Sequence, residues 1–191
     1  LVNREGVLNV FKSKGKVADL EHFVESKDLD GTIGIAHTRW ATHGEPNDIN
    51  AHPHYSESEN IALIHNGIIE NYTELKEKLL KHGYTFYSQT DTEVVIKLVD
   101  YYYKKYNLGP IDAIAKTMVR VRGSYALELM FRDYPGEIWV ARKDSPMIIG
   151  IADGETYVAS DVPAILKYSR NVYYIGNLEF AKLVPGEAHF Y

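Results

Sequence analysis

The sequence predicts an α+β protein built of layers, in which helices pack on antiparallel sheets. Helical periodicities dominate residues 71–121, whereas short strand-like runs separated by turn residues dominate residues 123–191. The length of 191 residues, with 45% hydrophobic and 25% charged residues, fits one globular domain with a sizeable core. Hairpin strands that follow a block of helices are typical of antiparallel sheets.

Four segments have the apolar spacing of helices, with inward-facing residues three and four positions apart. Asn71 with Glu74, and Thr90 with Glu93, are spaced as capping boxes at the starts of two of these segments. Gly83 is placed to end the helix that begins at Asn71. The predicted helices are 17–24, 71–82, 90–106 and 111–121.

Strands are predicted where apolar runs are bounded by turn residues. Two short strands around a turn are predicted within 1–11, and one strand each at 32–40 and 61–65. The strands predicted after Gly123 are 125–131, 137–142, 147–151, 155–159 and several within 172–191, with a short helix at 162–168.

Charge and composition exclude several classes of protein. The net charge of -5, with no basic block, argues against a nucleic-acid-binding surface. No apolar run is long enough to span a bilayer and no secretory signal opens the chain, so we expect a cytoplasmic protein with no membrane partner. The sequence has no cysteine, so these residues provide no disulfide, thiolate metal ligand or thiol nucleophile.

The segment 34–44, with the sequence GIAHTRWATHG, concentrates chemically useful side chains. Arg39, Trp40, Thr42 and His43 follow an apolar run and lie in a loop bounded by glycines. An arginine offers a planar fork that suits a carboxylate, and the other three add an aromatic face, a hydroxyl and an imidazole. A strand that ends in a polar turn explains the spacing equally well.

A second motif places Asn66 and Gly67 directly after the apolar run 61–65. In one interpretation they form an oxyanion hole, because an amide side chain and an unobstructed glycine N–H can both face developing negative charge. In the other interpretation Asn-Gly is a plain hairpin turn, and the spacing alone favours the turn.

Asp91 lies in the first turn of the helix predicted at 90–106. Acidic residues are common there because they offset the helix dipole, and this accounts for Asp91 by itself. Together with Arg39, however, Asp91 completes a pair of opposite charges. Such a pair would bind the α-amine and the α-carboxylate of a free amino acid.

Four histidines fall within a short stretch: His37, His43, His52 and His54. Zinc requires three or four ligands with supporting hydrogen bonds, and Pro53 fits poorly between two ligands on one strand. We therefore expect no metal site, and histidine hydrogen bonds that hold a loop. A Ser-His-Asp hydrolase is also not indicated, because the sequence has no G-x-S-x-G motif.

Taken together, the motifs resemble the glutaminase domains of glucosamine-6-phosphate synthases, which are class II glutamine amidotransferases. The resemblance covers nearly the whole chain, and its motifs occur in the family's order. The matching stretches are GIAHTRWATHGEP at 34–46, NAHPH at 50–54, HNGIIENY at 65–72, GYTFYSQTDTEV at 83–94, RGSYAL at 122–127 and ASDVPAIL at 159–166.

The resemblance implies a fold and a set of roles. The fold would be a four-layer α-β-β-α sandwich of two antiparallel sheets, similar to the N-terminal-nucleophile hydrolases, with 1–191 forming a single glutaminase domain. It implies no cofactor and L-glutamine as the substrate. The implied roles are α-carboxylate binding by Arg39, α-amine binding by Asp91, an oxyanion hole of Asn66 and Gly67, and loop contacts from Trp40, Thr42 and His43.

The sequence departs from this family in one respect. The family's nucleophile is an N-terminal cysteine, but this chain begins with Leu1 and has no cysteine. We therefore expect the domain to lack its N-terminal segment. We also expect a C-terminal isomerase half, which would use the ammonia to convert fructose 6-phosphate to glucosamine 6-phosphate and through which the protein would oligomerise.

Three alternatives remain open from the sequence. Because the nucleophile is absent, the chain could be a non-catalytic module that binds glutamine. It could be another class II amidotransferase with a different acceptor. It could also be a metal-dependent hydrolase built on the histidines.

Overall fold

The computed structural model describes residues 1–191 and contains two antiparallel sheets and four helices, which confirms the predicted α+β sandwich. None of the four helices combines the length and the apolar character that crossing a lipid bilayer requires. The helices are α1 (Val17–Val24), α2 (Tyr72–Lys81), α3 (Asp91–Lys105) and α4 (Pro110–Arg120). The strands are β1 (His54–Tyr55), β2 (Ile61–Ile69), β3 (Gly123–Phe131), β4 (Ile138–Lys143), β5 (Ile148–Ala152), β6 (Glu155–Ala159), β7 (Asn171–Tyr174), β8 (Glu179–Val184) and β9 (Glu187–Phe190).

The two sheets differ in size and share one interface. The larger sheet has the strand order β1-β2-β3-β4-β8-β9, and the smaller has the order β6-β5-β7. Helices α2, α3 and α4 cover one face of the larger sheet, where Leu63, Ile96 and Leu127 belong to the main buried core. The opposite face meets the smaller sheet in a second core that includes Val140 and Ile149. Alternating strand residues therefore supply both cores.

The outer face of the smaller sheet is covered by the segment that follows the single 3-10 turn, Val162–Ala164. Gly150 lies so close to this segment that an added Cβ would be 2.6 Å from Cδ1 of Ile165 and 3.2 Å from Cβ of Ser169. Ser169 also donates its hydroxyl to the Ile151 carbonyl oxygen at 2.7 Å. This segment completes the layer on that side of the sandwich.

Four of the predicted helices agree with the structure to within one residue at each end, whereas the short helix predicted at 162–168 is only a 3-10 turn, Val162–Ala164. Thr90 caps α3 as expected, because its Oγ1 accepts from the Glu93 N–H at 3.3 Å. Asn71, in contrast, does not cap α2 with its side chain. Its amide instead donates to the Arg120 carbonyl at 2.9 Å and accepts from the Arg122 N–H at 2.8 Å, so it joins the ends of two other elements.

Two strand predictions near the start of the chain are wrong. The segment 32–40 forms only an isolated bridge, between Ile33 and Val2, and the segment 1–11 forms only a bridge between Val2 and Leu8. Apolar alternation predicts an extended backbone, but a strand also needs a neighbour to pair with, and residues 34–40 have none.

A third correction concerns the Asn-Gly pair. Strand β2 does not end at His65 but continues through Asn66 and Gly67 to Ile69. Asn66 is opposite Ala126 and Gly67 is opposite Tyr125 on β3, so the hairpin-turn interpretation is wrong. The long pairing with β3 outweighs the local preference for a turn, and it fixes both residues on a rigid element.

Replacing Gly67 with alanine should cost about 2–4 kcal/mol of unfolding free energy. Gly67 has a φ of +125°, and an added Cβ would be 2.2 Å from the Ser124 carbonyl oxygen on the neighbouring strand. Gly83, with a φ of +85° and nothing within 4 Å of an added Cβ, is the matched control. Gly83→Ala should cost only about 1 kcal/mol. If urea denaturation showed equal losses of unfolding free energy in the two variants, the steric argument would be contradicted.

Candidate active site

A cavity of about 390 Å³ lies where the end of β2, the loop after His37 and the start of α3 meet. Six of the seven predicted site residues line it, although they are far apart in the sequence. These are Arg39, Trp40, Thr42, Asn66, Gly67 and Asp91. The structure therefore brings the two predicted charges and the predicted oxyanion donors to one cavity.

Asp91 is the first residue of α3 and is 4% exposed. Its Oδ2 accepts a hydrogen bond from the backbone N–H of Ile69 at 2.8 Å, which ties the start of the helix to the end of β2. The carboxylate is also stabilised by the positive end of the helix dipole. These contacts hold a negative charge at the wall of the cavity with little freedom to move.

Arg39 is held by its own loop. Its Nη2 donates to the carbonyl oxygens of His43 and, at 3.2 Å, of Gly44, and its Nη1 donates to that of Glu45 at 3.4 Å. Burial lowers the pKa of the guanidinium, and the negative charge of Asp91 opposes this shift. Arg39 stays charged and shares the cavity with Asp91.

The remaining loop residues differ in their placement. Thr42 lines the cavity, and Trp40 does so while leaving 90% of its surface exposed. The ring of His43 packs edge-on against Tyr72, with ring centroids 5.0 Å apart, and is not among the lining residues. Only the backbone carbonyl of His43 takes part, through its hydrogen bond with Arg39.

Asn66 presents its amide group at the cavity. Its Oδ1 is 2.6 Å from Nε2 of His37, so the amide oxygen is occupied and the Nδ2 hydrogens remain as donors. Gly67 adds a position without a side chain next to it. This pair can donate hydrogen bonds to an oxygen that acquires negative charge.

The other histidines near the cavity contact buried hydroxyl groups, although one ring nitrogen each of His52 and His65 has no hydrogen-bond partner. His52 Nε2 and His65 Nδ1 contact the same Thr92 Oγ1, at 3.1 and 3.0 Å, and His54 lies between the hydroxyls of Tyr87 and Thr90. Burial lowers the pKa of His52, with nearby His37 and His54 adding to the shift, so its ring is neutral. No group of three or more His, Cys, Asp or Glu residues is arranged to hold a metal ion.

Seven lining residues are not among the predicted site residues: His37, Thr38, His52, His65, Ile68, Thr92 and Ser124. Of these, His65 lies in the strand predicted at 61–65, Ser124 directly precedes the strand predicted at 125–131, and Thr92 lies in the first turn of a predicted helix. These residues reach the cavity because of the way the elements pack together, and no local periodicity in the sequence indicates that packing. Thr38, His65, Ile68 and Thr92 each adjoin a predicted site residue in the sequence, and this adjacency is the signal that could have found them.

The two-sheet sandwich with opposite charges and amide donors at one cavity defines a domain of the amidotransferase type. The chain belongs to the glutamine amidotransferase domain family, whose match covers residues 37–167. This confirms, at the level of the family, the resemblance seen in the motifs.

Known relatives agree with this assignment. The chain is 51% identical over 185 residues to a glutamine–fructose-6-phosphate aminotransferase (isomerizing) of Caldanaerobacter subterraneus subsp. tengcongensis, covering 97% of this chain and 30% of the relative. A protein of the same name from Bacteroides thetaiotaomicron is 49% identical over 187 residues, or 98% of this chain and 30% of the relative. The chain thus spans about 30% of the length of these relatives.

A solved structure supports the fold. The glutamine phosphoribosylpyrophosphate amidotransferase of B. subtilis aligns with a TM-score of 0.65 and 27% identity, over 81% of this chain and 33% of that protein.

Proposed function

We propose that this chain binds L-glutamine and stabilises the transition state of its hydrolysis to glutamate and ammonia. One observation carries the proposal: Arg39, Asp91, Asn66 and Gly67 line a single cavity of about 390 Å³. Its polar groups match the functional groups of glutamine in number and in charge.

Each charged group on the α-carbon of the substrate has a partner. The guanidinium of Arg39 binds the α-carboxylate, and the carboxylate of Asp91 accepts hydrogen bonds from the α-ammonium group. With both groups on the α-carbon held, the side-chain amide of glutamine extends towards Asn66 and Gly67. A β-strand and a helix start carry three of these groups, so little reorganisation is required when charge develops.

The chemistry requires a nucleophile that the 191 residues do not supply, because they include no cysteine. In our proposal a thiolate from elsewhere in a longer protein attacks the amide carbon. The oxyanion that forms accepts hydrogen bonds from Asn66 Nδ2 and the Gly67 N–H. The proton that the thiol loses on forming the thiolate passes to the nitrogen, the C–N bond breaks and ammonia leaves; water then hydrolyses the thioester, which releases glutamate and restores the thiol.

A second cavity, of about 440 Å³, is where we propose that the segment with the nucleophile lies. It separates residues 34–38 from β6, whose outer edge is unpaired, and it reaches Asn66. The side chain of Glu128 also lines it, and burial raises the pKa of this carboxyl to about 8. An open strand edge next to an unpaired extended segment favours an added strand.

For the longer protein we propose the activity named for the relatives. A C-terminal isomerase domain would use the ammonia to convert fructose 6-phosphate to glucosamine 6-phosphate in the cytoplasm. The identity of about half of all aligned residues with two such aminotransferases supports this. For the 191 residues alone, the lack of cysteine favours glutamine binding without hydrolysis.

Calorimetric titration with L-glutamine tests the binding proposal. Arg39→Lys should raise the Kd for glutamine about 10- to 100-fold, because a point charge replaces a fork that forms two hydrogen bonds. Arg132→Lys, an exposed position outside the cavity, is the matched control and should leave the Kd unchanged. Unchanged affinity in Arg39→Lys would remove the carboxylate assignment, and no binding by the unaltered chain would remove the proposal.

A further inference from the structure

We propose that His37 is a positioning residue that holds the carboxamide of Asn66 with its N–H donors facing the cavity. The inference rests on the proposed function, because it concerns the oxyanion donor of that reaction. His37 itself touches neither the reacting carbon nor the leaving group in this assignment.

The contact between the two side chains is short and directional. His37 Nε2 lies 2.6 Å from Asn66 Oδ1. A carboxamide carries its oxygen and its NH₂ group on opposite sides of one carbon, so fixing the oxygen on the imidazole directs the NH₂ group away from it. The backbone of Asn66 is already fixed by pairing with Ala126, which leaves only the side-chain torsions for His37 to restrain.

The position of the ring proton follows from burial. The Nδ1 atom of His37 is buried and has no hydrogen-bond partner. A proton on Nδ1 would leave a buried donor unsatisfied, which costs more than leaving an acceptor bare. The neutral ring is therefore protonated on Nε2 and donates to Asn66. Burial lowers the pKa of this imidazole, and its hydrogen bond with the Asn66 side chain opposes the shift.

The ring of His37 is itself held in place by a second histidine. It packs against His52, with ring centroids 4.2 Å apart and planes tilted by 37°. His52 is in turn hydrogen-bonded to the buried hydroxyl of Thr92, in the first turn of α3. The orientation of Asn66 thus depends on a chain of contacts that begins at the helix which also carries Asp91.

Kinetics of the longer protein, with its nucleophile, test the role. His37→Leu should lower kcat for glutamine hydrolysis about 10- to 100-fold with KM unchanged, because a misoriented donor affects the transition state and not substrate binding. His37→Gln is the matched control, since its amide N–H can replace Nε2–H, and it should restore most of the loss. In an Asn66→Ala background, His37→Leu should have no further effect.

Two kinetic outcomes contradict the role. An equal loss of kcat from His37→Leu with and without Asn66 would mean that the two residues act separately. A raised KM with unchanged kcat would make His37 part of the glutamine-binding wall. If the unaltered protein does not hydrolyse glutamine, the proposed function fails instead. Nitrogen-15 NMR of the 191-residue chain then still decides the positioning: we expect the Nε2–H tautomer of His37, and the Nδ1–H tautomer would overturn it.

Discussion

Replacing Asn66 with alanine is expected to lower kcat for glutamine hydrolysis about 100- to 1,000-fold in the longer protein that carries the nucleophile. The variant removes one of two donors to the developing oxyanion and leaves the charges at Arg39 and Asp91 in place. KM for glutamine should therefore change little. Steady-state kinetics with ammonia or glutamate detection would measure both constants.

The control for this variant is Asn171→Ala, on the exposed edge strand β7. The Asn171 side chain makes no hydrogen bond in the structure, so its loss should leave kcat unchanged. A loss of less than about 3-fold in Asn66→Ala would show that Asn66 is not an oxyanion donor. Its position in the middle of a paired strand would then be purely structural.

Replacing Asp91 with asparagine is expected to raise the Kd for L-glutamine about 100-fold. The substitution keeps an oxygen that can accept from the Ile69 N–H, so the contact between α3 and β2 survives. What it removes is the negative charge that faces the substrate's ammonium group. The free energy of unfolding, measured in urea, should consequently change far less than the affinity for glutamine does.

The ligand offers its own control for Asp91. Glutaramate is glutamine without the α-amine, and its affinity should be similar in the unaltered chain and in Asp91→Asn. A 100-fold loss for glutamine with no loss for glutaramate assigns the contact to the amine. If both ligands lose affinity equally, Asp91 acts through the shape of the cavity and the amine assignment is wrong.

The helices were predictable because their signals are local. Thr90 and Glu93 mark the start of α3, and the apolar spacing continues to its end. The position of Asp91 in the first turn follows from that boundary. The role of Arg39 was predictable for a different reason, because its loop alone is explained equally well by a polar turn and the family resemblance supplied the assignment.

What could not be predicted depends on partners remote in sequence. Asn66-Gly67 has the local preference of a turn, and only the nine-residue pairing of β2 with β3 shows that it lies in a strand. The contact of His37 with Asn66 joins residues 29 positions apart, and that of His52 with Thr92 spans 40. No spacing in the sequence encodes either contact.

The hydrogen bonds of Arg39 to its own loop have a consequence for recognition. A guanidinium has two edges that can grip a carboxylate with paired N–H groups, and Nη2 belongs to both of them. In this structure Nη2 is already engaged by the carbonyls of His43 and Gly44. A carboxylate can accept two hydrogen bonds from one edge of the guanidinium only by displacing at least one of these two carbonyls. Ligand occupancy and the conformation of residues 43–45 are therefore thermodynamically linked, and each must shift the equilibrium of the other.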